Sequence, residues 1–183
     1  MPPETPAKRA AKRRGRPLPT YRFAPQPSDV ARLRELVAAL DVFNAAERDV
    51  ALELLEERLR QGEASGYFFV LAEIGNELVG YAAWGPAPMT QSSFDLYWIA
   101  VHPRYQSLGI GRELLAATER AVAEHGGGRL YIETSSRIPY ARTRTFYAQA
   151  AYREVARLEN FYAEGDAKII YCKPIGGIKS EPS

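Results

Sequence analysis

From Tyr21 to Lys173 the apolar residues recur in two spacings, and the switches between them divide the chain into elements. Tyr21-Arg22-Phe23 alternates like a short strand. Ser28 or Asp29 then caps a helix to about Leu40, with Val30, Leu33, Val37 and Leu40 on one face. Asn44-Ala45-Ala46-Glu47 has the form of a capping box and opens a second helix to Gly62, striped by Leu52, Leu55 and Leu59. The stretch YFFVLAEIGNELVGYAAWG separates into two apolar runs around Gly75-Asn76, the pattern of a hairpin. After a Gly-Pro-Ala-Pro loop, Phe94–Val101 predicts a strand whose alternation sets Asp95, Tyr97, Ile99 and Val101 on one face. A helix over Arg112–His125 stops at three glycines, Gly126 to Gly128. Arg129–Thr134 reads as a strand and Tyr140–Ala150 as a helix. Strands from Tyr152 to about Phe161 and over Ala167–Lys173 flank a turn at Gly165-Asp166.

The order is β-α-α-β-β-β-α-β-α-β-β, without internal repeats. A central strand–helix–strand unit with an antiparallel hairpin on each side predicts an α/β fold with a mixed, mainly antiparallel sheet flanked by helices. Residues 21–174 form the single domain of this reading. Residues 1–20, rich in Pro, Ala, Arg and Lys with little to bury, predict a disordered basic tail, and residues 175–183 a flexible C-terminal one.

Composition narrows the chemistry. The 183 residues are 46% hydrophobic and 25% charged, the profile of one soluble globular domain. One cysteine, Cys172, excludes an internal disulfide framework, and two histidines far apart, His102 and His125, make a metal centre a poor expectation. No apolar run reaches the roughly 20 residues that span a bilayer, and no signal-type segment opens the chain, so a cytoplasmic location is expected. The net charge of +2 conceals an asymmetry, because the first 20 residues carry +5 and the rest −3.

The chemistry concentrates after Val101, where a strand runs through His102-Pro103 into Gln106-Ser107-Leu108-Gly109-Ile110-Gly111-Arg112 and then a helix. A helix N-terminus presents free N–H groups and about half a positive charge. Glycines let that backbone approach an anion, since a Cβ on Gly109 or Gly111 would intrude where phosphates come near. Arg112 adds positive charge at the rim. The segment lacks Gly-Lys-Ser/Thr, against a Walker-type triphosphatase, and lacks the Gly-x-Gly-x-x-Gly order of a dinucleotide fold.

This segment after Ile99-Ala100-Val101-His102-Pro103, followed by Phe146-Tyr147 and, five residues on, Tyr152, resembles the GNAT N-acetyltransferase superfamily. The resemblance covers about Tyr21 to Lys173. It implies the acyl-CoA N-acyltransferase fold, with the pyrophosphate of acetyl-coenzyme A (acetyl-CoA) on Gln106, Ser107, Leu108, Gly109, Ile110, Gly111 and Arg112. It further implies that the backbone of Ile99, Ala100 and Val101 pairs with the pantetheine arm like an added strand. Two positions depart from the family pattern: Ala151 stands where glycine is usual, and Tyr140, at a position that contacts the pantetheine arm, stands where asparagine is common.

Acetyl transfer to an amine needs a neutral amine, a polarised carbonyl and a proton for the departing thiolate. By resemblance, the Tyr147 hydroxyl faces the thioester sulfur and serves as the acid. Asp95, an acid in an otherwise apolar strand, falls where some members carry a glutamate base, and Glu133 on the neighbouring strand is its rival. The reading is therefore an acetyl-CoA-dependent, metal-free N-acetyltransferase that acts on a primary amine of a small molecule by direct attack in a ternary complex. Acetylation of protein amines, and a non-catalytic coenzyme A-binding regulator of the same fold, stay open as alternatives. A homodimer is also left open. In the tail, Arg14-Gly15-Arg16-Pro17 resembles an AT-hook, although a solvated tail without specific contacts is the preferred reading, and no other nucleic-acid or membrane partner is expected.

Overall fold

The computed structural model describes residues 18–41 and 45–176. Its elements in chain order are β1 (Thr20–Arg22), α1 (Asp29–Ala38), α2 (Ala45–Gln61), β2 (Phe68–Ile74), β3 (Glu77–Pro86), β4 (Ser93–Val101), α3 (Ile110–Glu124), β5 (Arg129–Ser135), α4 (Ala141–Gln149), β6 (Arg153–Ala163) and β7 (Asp166–Pro174). This is the predicted order, with ends displaced by at most two residues. Among the described residues no helix is long and apolar enough to cross a membrane.

The strands form one sheet in the order β1-β2-β3-β4-β5-β7-β6. Every pairing is antiparallel except β4 with β5, which α3 connects as a crossover. The two sheet faces bury separate cores. On one, Leu33, Leu36, Val37 and Leu40 with Ala51, Leu52 and Leu55 of α2 cover Phe69, Leu71, Tyr81 and Ala83. On the other, Leu114, Leu115, Ala121 and Val122 of α3, with Tyr147 of α4, cover Val70, Ala82, Trp84, Leu96, Ile132 and Ile169. The helical stripes expected from sequence are the ones buried, since an amphipathic helix gains stability chiefly by burying its apolar face.

Several boundaries follow tertiary contacts instead of local pattern. Ser28 occupies the N-cap of α1 without a side-chain cap bond. Asp29 is fully buried and paired with the Arg22 guanidinium through two bonds of 2.9 Å, while Arg22 and Arg32 also reach Glu73. Burial pushes the Asp29 carboxyl up, but Arg22, the Gln26 N–H and Arg32 outweigh it and hold it below the ordinary carboxylate range. This cluster fastens β1, α1 and β2 together. Asn44, the expected cap of α2, lies outside the described residues. Ile175, assigned from sequence to the C-terminal tail, belongs to the domain: it is buried, and its N–H donates to the Gly128 carbonyl at 2.9 Å.

Candidate active site

The parallel pairing of β4 and β5 is short. It runs from Ser93↔Arg129 to Leu96↔Ile132, and beyond that point the two strands are not paired. The β5-facing edge of Ile99, Ala100 and Val101 is thus without a strand partner, while their other edge pairs with Ala82, Tyr81 and Gly80 of β3. A sheet that opens between two parallel strands exposes backbone N–H and C=O groups that a ligand amide can satisfy.

A bulge accompanies this opening. The β3–β4 register shifts between Ala83 and Trp84, so Tyr97 has no opposite residue. An inserted residue inverts the alternation downstream. Phe94 and Leu96 belong to the α3-side core, as do Ile99 and Val101. Asp95 and Tyr97 therefore lie on the α1/α2 side of the sheet, and the expectation that Asp95, Tyr97, Ile99 and Val101 share one face is corrected. Gly85 makes room for the bulge: a Cβ there would stand 2.2 Å from the Gly66 carbonyl oxygen and 3.0 Å from the Tyr97 hydroxyl.

At the end of β4 the glycine turn leads into α3. Gly109 is its N-cap, with φ +89°, a left-handed conformation natural to glycine, and Ser107 is also left-handed at +64°. The first helical bond runs from the Glu113 N–H to the Gly109 carbonyl at 3.1 Å, so the N–H groups before it have no partner within the helix. The Gln106 side-chain amide donates to the Val101 carbonyl at 3.2 Å, tying the turn to the end of the strand. Arg112 is exposed in the first turn. Gly111 plays a different part from the one expected. A Cβ there would stand 3.7 Å from Val101 Cγ2 and 3.8 Å from the Phe146 ring, both ordinary contacts. It faces the packing between α3, β4 and α4.

Tyr147 is almost wholly buried, its ring within 6.1 Å of those of Phe146, Tyr152 and Tyr171. Burial pushes its phenol well above the ordinary tyrosine value, so the proton stays on the oxygen at neutral pH. The structure thus gives Tyr147 a core role, with its ring packed inside the α3-side cluster. Helix α4 ends through Ala151 in the left-handed conformation, φ +67°, so the cap where glycine is usual is kept by alanine.

On the opposite face the two candidate bases meet. Leu130 and Ile132 of β5 enter the α3-side core, which sends Tyr131 and Glu133 to the face of Asp95. Burial raises the Asp95 carboxyl, the Glu133 charge adds to the rise, and Lys168 of β7 opposes it. Glu133 is half exposed and ion-paired, its Oε2 2.6 Å from Lys168 Nζ. Among the described residues Asp95 has no ion-pair partner. Tyr67 packs edge-on to Tyr97 at 5.7 Å between ring centroids, and burial, with Asp95 and Tyr67 adding, pushes the Tyr97 phenol up to about 12. Tyr140 caps α4, and burial raises its phenol in the field of Glu47, Arg137 and Asp166. Lys168, Phe161 and Tyr67 escaped the sequence reading. A lysine inside the apolar run of β7 was the available signal for the first.

Comparison with known proteins shows the family and the fold. The acetyltransferase (GNAT) family model matches residues 32–152. A curated N-alpha-acetyltransferase from Sulfurisphaera tokodaii is 30% identical over 129 residues, covering 65% of this chain and 74% of that protein. A crystal structure of the GNAT family from Desulfovibrio desulfuricans superposes with a TM-score of 0.85 at 42% identity, over 86% of this chain and 99% of that one. A Salmonella typhimurium structure holding acetyl-CoA shares the fold, with a TM-score of 0.68 at 19% identity over 90% and 98% of the two chains.

Proposed function

The chain belongs to the acetyltransferase (GNAT) family, an N-acetyltransferase family that uses acetyl-CoA, and from that premise we propose that it acetylates a primary amine of a small molecule by direct attack in a ternary complex. The observation that carries the reading is the opening between β4 and β5, bordered by an anion-binding turn on one side of the sheet and by two carboxylates on the other.

The residues present suit the co-substrate. The free N–H groups at the start of α3 and the exposed Arg112 offer a site for a pyrophosphate. The unpaired edge of Ile99–Val101 offers donors and acceptors for the amides of the pantetheine arm. When bound, acetyl-CoA supplies an acetyl thioester. Asp95 takes the proton of the acceptor amine: burial has raised its carboxyl toward the range where a carboxylate works as a base, and among the described residues no cation neutralises it by direct contact. Tyr147 holds a proton on its phenolic oxygen and is the acid of the pair.

A polypeptide α-amine is the second acceptor class, favoured by the name of the Sulfurisphaera tokodaii relative. Measurement of free thiol released from acetyl-CoA over a panel of small amines and short peptides separates the two. Turnover on peptides alone would replace the small-molecule reading. Coenzyme A binding by thermal shift without thiol release on any amine would favour a regulator that binds but does not turn over.

A further inference from the structure

Asp95, Glu133 and Lys168 lie on one face of three adjacent strands, in a diagonal across the mouth of the opening. Asp95 of β4 is opposite Tyr131 of β5, and Glu133 is the next residue on that face of β5. Lys168 of β7 is opposite Ser135, again one step along the same face. The ammonium of Lys168 is held from two sides, by Glu133 Oε2 at 2.6 Å and by the Phe161 ring with its centroid at 4.3 Å. Its side chain is only 15% exposed. A cation in such a place is a fixed charge, because the ring and the carboxylate together restrict a side chain that is otherwise mobile.

We infer that Lys168 is a positioning residue of the acceptor site: its ammonium engages Glu133 in a standing ion pair and leaves Asp95 as the carboxylate that receives the acceptor's proton. The inference rests on the base role proposed above for Asp95. In the proton transfer, the acceptor ammonium gives H⁺ to an Asp95 oxygen and its nitrogen keeps the lone pair that attacks. A negative Glu133 nearby makes Asp95 a stronger base, and Lys168 moderates that effect, consistent with the opposite directions in which the two charges move the Asp95 carboxyl. Further titratable groups around this face include Tyr131 of β5, opposite Asp95, and Cys172 of β7, opposite Tyr131, together with Tyr97 of β4, which feels Asp95, Tyr162 of β6, which feels Glu133 and Asp166, and Glu47 of α2, which acts on Tyr162 and Tyr140.

The test is the pH profile of kcat/KM with one fixed acceptor, measured for the intact protein and for Lys168→Met, Lys168→Gln and Lys168→Arg, with circular dichroism to confirm folding. The same acceptor in every profile cancels the titration of the amine itself. Removing the cation in Lys168→Met or Lys168→Gln should move the acid limb upward by about half a pH unit or more. Lys168→Arg, which retains the charge, should restore the limb. An unmoved limb, or an equal loss of rate at every pH, would make Lys168 a purely structural residue and overturn the inference. Asp95→Asn serves as the control. If it abolishes the limb while the Lys168 variants leave theirs unmoved, only the present inference falls. If Asp95→Asn keeps the limb, the base assignment itself fails and takes the inference with it.

Discussion

The Tyr152 N–H donates to the Tyr147 carbonyl at 3.0 Å and so closes the end of α4 over Ala151, which is held in the left-handed conformation. That conformation costs a residue with a Cβ about 1–2 kcal/mol, whereas glycine adopts it freely. Glycine also loses more entropy on folding, which offsets part of the gain. Ala151→Gly should therefore stabilise the protein by about 0.5–1 kcal/mol and raise Tm by roughly 1–4 °C. A thermal melt in which the variant unfolds earlier than the parent would show that Ala151 is not strained.

The raised Asp95 carboxyl makes a prediction with opposite signs for stability and for rate. A carboxyl whose pKa is higher in the folded state than in the unfolded one destabilises the fold once ionised. That cost is absent below the ordinary carboxyl value near 3.9 and complete above the raised value in the fold. Asp95→Asn should thus melt higher than the parent at neutral pH, with the difference closing as pH falls through that window. Relative to the parent, its turnover should drop most just above that window, where Asp95 is ionised and the amine is still mainly ammonium, and recover in part at higher pH as free amine appears. A variant that is both less stable and unchanged in rate per folded molecule would mark Asp95 as structural and pass the candidacy to Glu133.

Tyr147→Phe removes one hydroxyl from a ring packed among Phe146, Tyr152 and Tyr171. Ring packing and coenzyme A affinity should survive. The rate should fall roughly 10- to 10³-fold, within the usual range for losing one acid–base group. Full turnover across the pH range would remove Tyr147 from the chemistry and leave it a core residue.

The two glycines of the turn should respond differently. Gly111→Ala places its Cβ in ordinary contact with Val101 and Phe146, so acetyl-CoA affinity should change by less than about threefold, or some 0.65 kcal/mol. Gly111→Val overfills the same space and should weaken binding by tenfold or more, on the order of 1.4 kcal/mol, by displacing α3. Gly109→Ala must hold a Cβ at φ +89° and should lower both Tm and affinity. Calorimetric titration that ranks Gly111→Ala with Gly111→Val would restore a direct phosphate-facing role for that Cβ position.

Element order and the glycine turn at the mouth of α3 were legible in the chain by itself. Hydrophobic period and turn residues are local properties, and Leu33, Leu52 and Leu55 are buried where their spacing put them. The motif residues from Gln106 to Arg112 and the pair Phe146-Tyr147 were legible for the same reason, being contiguous. What the tertiary structure alone decided depends on neighbours distant in sequence. The bulge at Tyr97, which sends Asp95 and Val101 to opposite faces, arises from the register of β4 against β3 and from the space left at Gly85. The pairing of Lys168 with Glu133 joins residues 35 positions apart, which meet only because β7 is inserted between β5 and β6. The contact-facing role of Gly111 required knowing that Phe146 packs beside it. Local pattern determines which elements form; strand order and register determine which side chains share a face, and the candidate chemistry of this protein depends on that sharing.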